Sequence, residues 1–330
     1  MSPLTLERLS PFVGGGSIVV TVANHGYLPL VDNWARHLRR LGVHHYVVFA
    51  LDDALHRACV QRGTHSLRLP VETATSTRAE DYGAPGFNAI VRIKPALVLR
   101  LLELGLDVFL SDADVVWIRD PRPEIRAQGA YDVHIQYSAP HYAPVGRAIE
   151  AGRFCNTGFF LARSNPATRS LFTDVVRAID APPTEPPEGG LNPDDQYHFN
   201  RVVHARRKVV ALAGDRPASP DRLSINVLDP LRFPVGRSYF DDHDTFARHD
   251  IHPTVVHANY RPTLSSKILA LDSHGLWHRR SPLEGVTLGA RRTMNHAMDA
   301  AREVARDRAP PALRSKLAWT ERFVSALRGR

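Results

Sequence analysis

The 330-residue sequence predicts an α/β fold, a doubly wound sheet flanked by helices, on three observations. Short apolar runs at residues 17–23, 45–51 and 107–110 have strand length and are rich in valine, isoleucine and phenylalanine. The first two runs are each followed by a segment of helical period, the strand-helix-strand rhythm of a sheet covered on both faces. Each run also ends in polar residues, Asn24-His25-Gly26, Asp52-Asp53 and Asp112-Ala113-Asp114. Sheets of this kind bind ligands beyond the carboxyl ends of their strands, so these polar ends are the candidate site.

Taken in order, residues 17–23 read as a buried strand. Residues 28–41 read as a helix with Leu30, Trp34, Leu38 and Leu41 on one face. The strand at 45–51 ends in Asp52, which also suits the N-cap of a helix over 54–61. A short strand follows at 66–69, then a Thr-, Gly- and Ser-rich loop at 71–88. Residues 93–104 predict a helix stopped by Gly105. Pro95 fits only its first turn, which leaves Arg92 and Lys94 at an N-terminus, where anions are favoured. The bland alternative for Lys94 is a solvated side chain. Further strands are expected at 154–161, broken by Asn156-Thr157-Gly158, and at 254–260; helices are expected at 194–203 and 265–271, and an irregular loop at 181–193.

The most informative stretch is Leu110-Ser111-Asp112-Ala113-Asp114-Val115-Val116-Trp117. In extended chain, alternate side chains share a side, so Asp112 and Asp114 are expected to face one site together. Two hard oxygen donors suit a divalent cation whose remaining positions go to phosphate oxygens. The competing reading is a surface turn with two solvated aspartates.

Composition sets limits on function. The 43% hydrophobic share is that of an ordinary globular protein, and the formal net charge is +8. Only Lys94, Lys208, Lys267 and Lys316 of the 42 basic residues are lysine, which reads as the codon bias of a GC-rich bacterial genome. Ten basic and four acidic residues lie in 289–330, so most of the charge excess belongs to the tail. No zinc-finger spacing or aromatic-basic signature accompanies it, and a nucleic-acid partner is not expected. Cys59 and Cys155 are too few for a disulfide framework, and no apolar run is long enough to span a bilayer, so a cytoplasmic enzyme is expected.

Six segments, in order, resemble one family. They are Lys94 with its helix, residues 110–114, Trp117 with Arg119-Asp120-Pro121, residues 154–159, Asp195-Gln196, and His257-Ala258-Asn259-Tyr260. Together they are similar to the nucleotide-diphospho-sugar transferases that include plant arabinosyl- and xylosyltransferases. The resemblance runs from about residue 18 to 277. It implies a GT-A fold with a mixed sheet, a divalent metal, Mn2+ or else Mg2+, retention of anomeric configuration, a nucleotide-sugar donor, UDP by default, and a hydroxyl-bearing acceptor. With the codon bias, a bacterial secondary metabolite or envelope component is the expected acceptor.

What the resemblance implies for residues follows position by position. Asp112 and Asp114, with Ala113 between them, look like the Asp-x-Asp pair that holds the metal against the diphosphate, and His257 resembles the late third ligand; a core histidine is its alternative. Asp195 and Gln196 resemble the pair near the anomeric carbon, although Asp194 or Asp195 could instead serve only as a helix cap. Asn156 and Gly158 resemble a turn lining the sugar pocket, against the alternative of an ordinary β-bulge. Thr21, Ala23 and Asn24 lie where the first strand meets the nucleotide in similar folds. Asp52 suits base or ribose as well as a cap, and Arg92, Lys94 and Asn259 complete the donor set. Lys267 follows His257 at a longer spacing than related transferases use, so Arg261 stands beside it as the candidate phosphate cation.

Residues 1–280 are therefore expected to form the catalytic domain and 281–330 a basic helical tail. In that tail Leu313, Leu317, Val324 and Leu327 make one face, away from Arg314, Arg322 and Arg328. Such a helix suits peripheral membrane contact or simple packing on its own domain. The rival readings of the whole chain are a metal-dependent nucleotidyltransferase or phosphohydrolase, which lacks a Gly-rich phosphate loop after the first strand, and a non-catalytic nucleotide-sugar-binding protein.

Overall fold

A computed structural model of the chain describes residues 4–69, 77–80, 90–143, 148, 152–181, 192–206, 209–212 and 223–279. The expected tail at 281–330, most of the loop at 71–88 and nearly all of the loop at 181–193 lie outside the described residues. The chain divides into two compact units, 1–259 and 260–330.

The first unit is built on one mixed sheet. A two-residue strand β1 (Val13–Gly14) pairs antiparallel with β2 (Ser17–Ala23). The rest are β3 (Tyr46–Ala50), β4 (Ser66–Arg68), β5 (Asp107–Ser111), β7 (Val133–Tyr137), β8 (Cys155–Ala162), β9 (Val209–Leu212) and β10 (Ser224–Val227), in the order β4-β3-β2-β5-β8-β7-β10-β9. All neighbours on that path run parallel except β8, which is antiparallel to both β5 and β7. A second, two-stranded sheet pairs β6 (Val115–Trp117) antiparallel with β11 (Val255–His257).

Helices α1 (Leu6–Leu9), α2 (Leu28–Arg40), α3 (Asp53–Gln61), α4 (Ile93–Glu103), α5 (Pro121–Ala127), α6 (Pro166–Asp180), α7 (Asp195–Ala205), α8 (Gly236–Asp241) and α9 (His243–Arg248) complete this unit. Strands β2, β3, β7, β8 and β10 are buried along both faces, so the core falls into two layers. One packs Val20, Phe49, Val98, Leu101, Phe160, Phe172 and Phe199 together; the other packs Val19, Trp34, Val48, Phe109, Trp117, Phe159 and Phe233. Alternation along β2, β3 and β5 sends successive residues into opposite layers, as the pleat requires. The second unit contributes α10 (Leu264–Ser273), opened by a capping box of Thr263 and Ser266.

Sequence and structure part at the aspartate pair. Asp112 and Asp114 do not lie in extended chain: β5 ends at Ser111, and residues 112–114 form a turn closed by the Val115 N–H donating to the Asp112 carbonyl at 2.9 Å. The carboxylates converge because the chain reverses there, and strand alternation has no part in it. Ser111 anchors the turn, its hydroxyl accepting the indole N–H of Trp34 at 3.0 Å and of Trp117 at 3.1 Å, all three buried. Both indoles thereby satisfy their only donor inside the core.

Candidate active site

The turn delivers Asp112 and Asp114 to the carboxyl end of β5, and β11 brings His257 to them. Pairing of Val255 with Trp117 and of His257 with Val115 carries β11 back along β6, and the Ala258 N–H donates to the Asp114 carbonyl at 2.9 Å. His257 Nε2 then lies 3.3 Å from Asp114 Oδ1. One ligand atom from each of Asp112, Asp114 and His257 falls within 4.8 Å of the others. Two carboxylates and an imidazole are a donor set that Mn2+ or Mg2+ accepts, with the imidazole favouring manganese.

A bulge in β8 makes room for this group. Ile135 pairs with Phe160 but Gln136 with Asn156, so the strand carries extra residues at 157–159. There the Gly158 carbonyl accepts the Asp112 N–H at 2.7 Å, and the Asn156 side-chain oxygen accepts the Gly158 N–H at 2.9 Å. A Cβ on residue 158 would stand 2.3 Å from His257 Cε1 and 3.0 Å from Asp112 Oδ2. Glycine is thus required by the His257 and Asp112 side chains behind it, and the bulge and the turn at 112–114 are one structure.

Lys94 ties this group to α7. It occupies the first turn of α4 and is buried, with Nζ 3.1 Å from both oxygens of Asp112 and 3.2 Å from Asp195 Oδ2. Burial alone would lower its pKa, but the Asp112 and Asp195 carboxylates outweigh that and hold the ammonium well above its ordinary value. Asp112 is pushed the other way: burial, then the neighbouring Asp114 and Asp195 charges, raise its carboxyl in spite of Lys94. Three carboxylates against one ammonium leave two negative charges, which a divalent cation would neutralise.

Asp194 settles the capping question by taking the Tyr197 N–H at 2.9 Å, which leaves the Asp195 side chain to Lys94. Gln196 is half-buried beside it. At the end of β2, Thr21, Ala23 and Asn24 are buried, and Asn24 Nδ2 donates to the Arg78 carbonyl at 2.7 Å. Residues 77–80 therefore pass close over this strand end. A Cβ on Gly26 would collide with Ala79 N at 1.9 Å. Asp52 acts as the α3 cap through the Leu55 N–H and also accepts the His25 N–H, both at 2.7 Å. Arg92 does not join the carboxylates; its guanidinium donates to the Ile179 carbonyl near the end of α6. Asn259 Oδ1 accepts the Gly236 N–H at 2.7 Å. Arg261 and Lys267 belong to the second unit, where Arg261 donates to the Tyr260 carbonyl and Lys267 lies on α10.

Two residues that the sequence did not single out belong here. Gln136 Oε1 meets His257 Nδ1 at 2.9 Å, and Ser111 braces the turn. Alternation of Val133, Ile135 and Tyr137 carries a strand signal, but nothing local announces that Gln136 reaches a residue 121 positions away.

The sequence profile of the nucleotide-diphospho-sugar transferases matches residues 41–271. The chain belongs to that family. Among curated relatives, a β-arabinofuranosyltransferase of Arabidopsis thaliana is 28% identical over 287 residues, 83% of this chain and 50% of the relative. A UDP-D-xylose:L-fucose α-1,3-D-xylosyltransferase of the same plant is 23% identical over 79% of this chain and 66% of its own length. A UDP-galactose:fucoside α-3-galactosyltransferase of Dictyostelium discoideum is 24% identical over 83% and 45%. The chain thus spans about half to two thirds of these relatives. Among solved structures, the galactosyltransferase LgtC with donor and acceptor sugar analogs is similar at a TM-score of 0.44 and 12% identity, over 73% of this chain and 86% of that one. Mouse xyloside xylosyltransferase 1 is similar at 0.43 and 12%, over 74% and 97%.

Proposed function

We propose that this transferase moves a sugar from a nucleoside-diphosphate donor, UDP-linked by default, to a hydroxyl acceptor, with Mn2+ or Mg2+ required and anomeric configuration retained. The observation that carries the reading is the convergence of Asp112, Asp114 and His257 beside the Lys94–Asp195 ion pair, at the carboxyl end of the sheet in a chain of this family.

Asp112, Asp114 and His257 would hold the metal, which when bound supplies positive charge to the departing diphosphate. Lys94 holds the Asp195 side chain in place by their ion pair, so that the carboxylate would face the sugar as positive charge develops at the anomeric carbon. Gln196, next on the same helix turn, would bond sugar hydroxyls. We favour attack of the acceptor hydroxyl from the leaving-group side, with the diphosphate oxygen taking the proton, because a carboxylate already engaged by a buried ammonium is a weakened nucleophile. Thr21, Ala23, Asn24 and Asn259 are proposed to line the nucleotide side. A cytoplasmic location belongs to the same reading, supported by Cys59 and Cys155, which are free and buried. Among the described residues no helix is long and apolar enough to cross a membrane.

The test is a nucleotide-sugar panel with and without Mn2+, read by free nucleoside diphosphate and by product anomer. Metal-dependent release of UDP with retained configuration supports the reading. Release of sugar phosphate points to a phosphohydrolase, donor binding without any turnover to a binding protein, and a sugar trapped covalently on Asp195 to the two-step route.

A further inference from the structure

We propose that Gln136 is a positioning residue for the metal site: it locks His257 in the Nδ1–H form and thereby presents the Nε2 lone pair toward Asp114. This rests on the metal reading above and goes beyond it by giving the site a determinant outside its ligands.

The hydrogen-bond chain fixes the hydrogen on Nδ1. Gln136 is fully buried, and its amide nitrogen lies 3.0 Å from the Phe233 carbonyl and 3.1 Å from the Pro234 carbonyl. Carbonyls only accept, so the amide N–H groups must point there. Gln136 Oε1 is then the atom 2.9 Å from His257 Nδ1, and because that oxygen also only accepts, the ring nitrogen must carry the hydrogen. In the neutral ring Nε2 keeps its lone pair, and it faces Asp114 Oδ1 at 3.3 Å. A ring held in this form offers its Nε2 lone pair beside the Asp114 carboxylate oxygen, two ligand atoms that one divalent cation could take.

The backbone enforces the same geometry. The segment that receives the Gln136 amide also holds β11, since the His257 N–H donates to the Pro234 carbonyl at 3.2 Å and Val235 bridges to His257. The β8 bulge sets the register, placing Gln136 opposite Asn156 while pushing Gly158 under Asp112 and His257. One strand irregularity therefore supplies both the space for the ligand ring and the group that orients it. Outer groups of this kind, which set the tautomer of a metal-binding histidine, typically carry 10- to 100-fold in metal affinity.

The experiment uses the full chain and reads Mn2+ affinity by electron paramagnetic resonance of the free ion, without donor, alongside thermal stability. Gln136→Met removes both the acceptor for Nδ1–H and the two amide donors; Gln136→Glu keeps an acceptor and loses the donors. Both should lose stability, but Mn2+ affinity should fall about 10- to 100-fold in Gln136→Met and stay within a few-fold of wild type in Gln136→Glu. Affinity that follows stability in both variants, or stays unchanged in Gln136→Met, overturns the proposal. A second readout needs no Gln136 variant: long-range 15N–1H spectra of histidine-labelled, metal-free protein at pH 8, with His257 assigned by its absence in His257→Asn. An Nδ1–H pattern supports the lock and an Nε2–H pattern overturns it. Asp114→Asn separates the two claims. If wild type binds Mn2+ and Asp114→Asn does not, the metal reading stands and the Gln136 result judges the lock alone. If wild type binds none, the metal reading falls and takes the proposal with it.

Discussion

Two charged clusters stitch distant parts of this chain together, and they are built on opposite principles. Glu124 on α5 meets Arg232 through two parallel bonds of 3.0 Å, and the Thr254 hydroxyl also donates to Glu124, so one carboxylate answers one guanidinium. The other cluster sets Asp112, Asp114 and Asp195 against Lys94. The first is balanced and partly exposed, and serves as a brace between α5 and the strand leading to His257. The second is largely buried and sets three carboxylates against one ammonium, an imbalance that the proposed divalent cation would offset.

The sharpest way to break this contrast is Asp114→Asn. Activity should fall roughly 10³-fold, about 4 kcal/mol of transition-state stabilisation. The metal-free melting temperature should hold or rise, because one of the crowded carboxylates has lost its charge. A clear drop in metal-free stability would mean that this cluster is a brace like the other.

Lys94→Met should act on both quantities. Losing the ammonium leaves Asp112 and Asp195 facing each other and should cost about 3 kcal/mol in chemical denaturation without metal. Added Mn2+ should stabilise this variant more than wild type, and equal gains would sink the compensation argument. Gly158→Ala comes next, at about 2 kcal/mol for forcing a methyl group against the His257 ring, with weaker Mn2+ binding measured by calorimetry.

Glu124→Gln should have the smallest effect, about 1 kcal/mol after allowing for solvent exposure, with Mn2+ affinity unchanged. Burial pushes the Glu124 carboxyl up, but Arg232 and Thr254 outweigh it and hold it below its ordinary value. Its contribution is therefore full above the unfolded glutamate pKa of about 4.3 and is lost as pH falls through the lower folded value. The stability gap between wild type and Glu124→Gln should close on acidification through that window. A gap that stays constant with pH would show that the pair is not coupled to folding.

Strands and helices with strong local signals were legible in the sequence: β2, β3 and β5, and α2, α3 and α4, fall within a residue or two of where hydrophobic period and capping residues put them. The 15-residue α6 was not read, although Asn165-Pro166 caps it, because its box closes with Thr168 in place of the usual glutamate or glutamine. Strands β7 and β10 were not read, because their apolar residues alternate with the buried polar His134, Gln136, Ser224 and Asn226 and so make no continuous apolar run like those of β2, β3 and β5. At the site, the aspartate pair, Lys94, Asp195 and His257 were named from sequence and the structure brings them together, whereas Arg92 turns to α6 and Asp52 to its cap.

The sequence alone thus determined which groups could carry the chemistry, since donor type, helix caps and strand ends are properties of neighbours along the chain. Only the tertiary structure decided how they meet. The turn at 112–114, the bulge at 157–159 and the reach of Gln136 to His257 depend on chain reversal, on strand register and on contacts across 121 residues, none of which local sequence encodes. Side-chain chemistry is a local property; convergence is set by packing, which here brings two carboxylates and an imidazole together and ties Asp195 to them through Lys94.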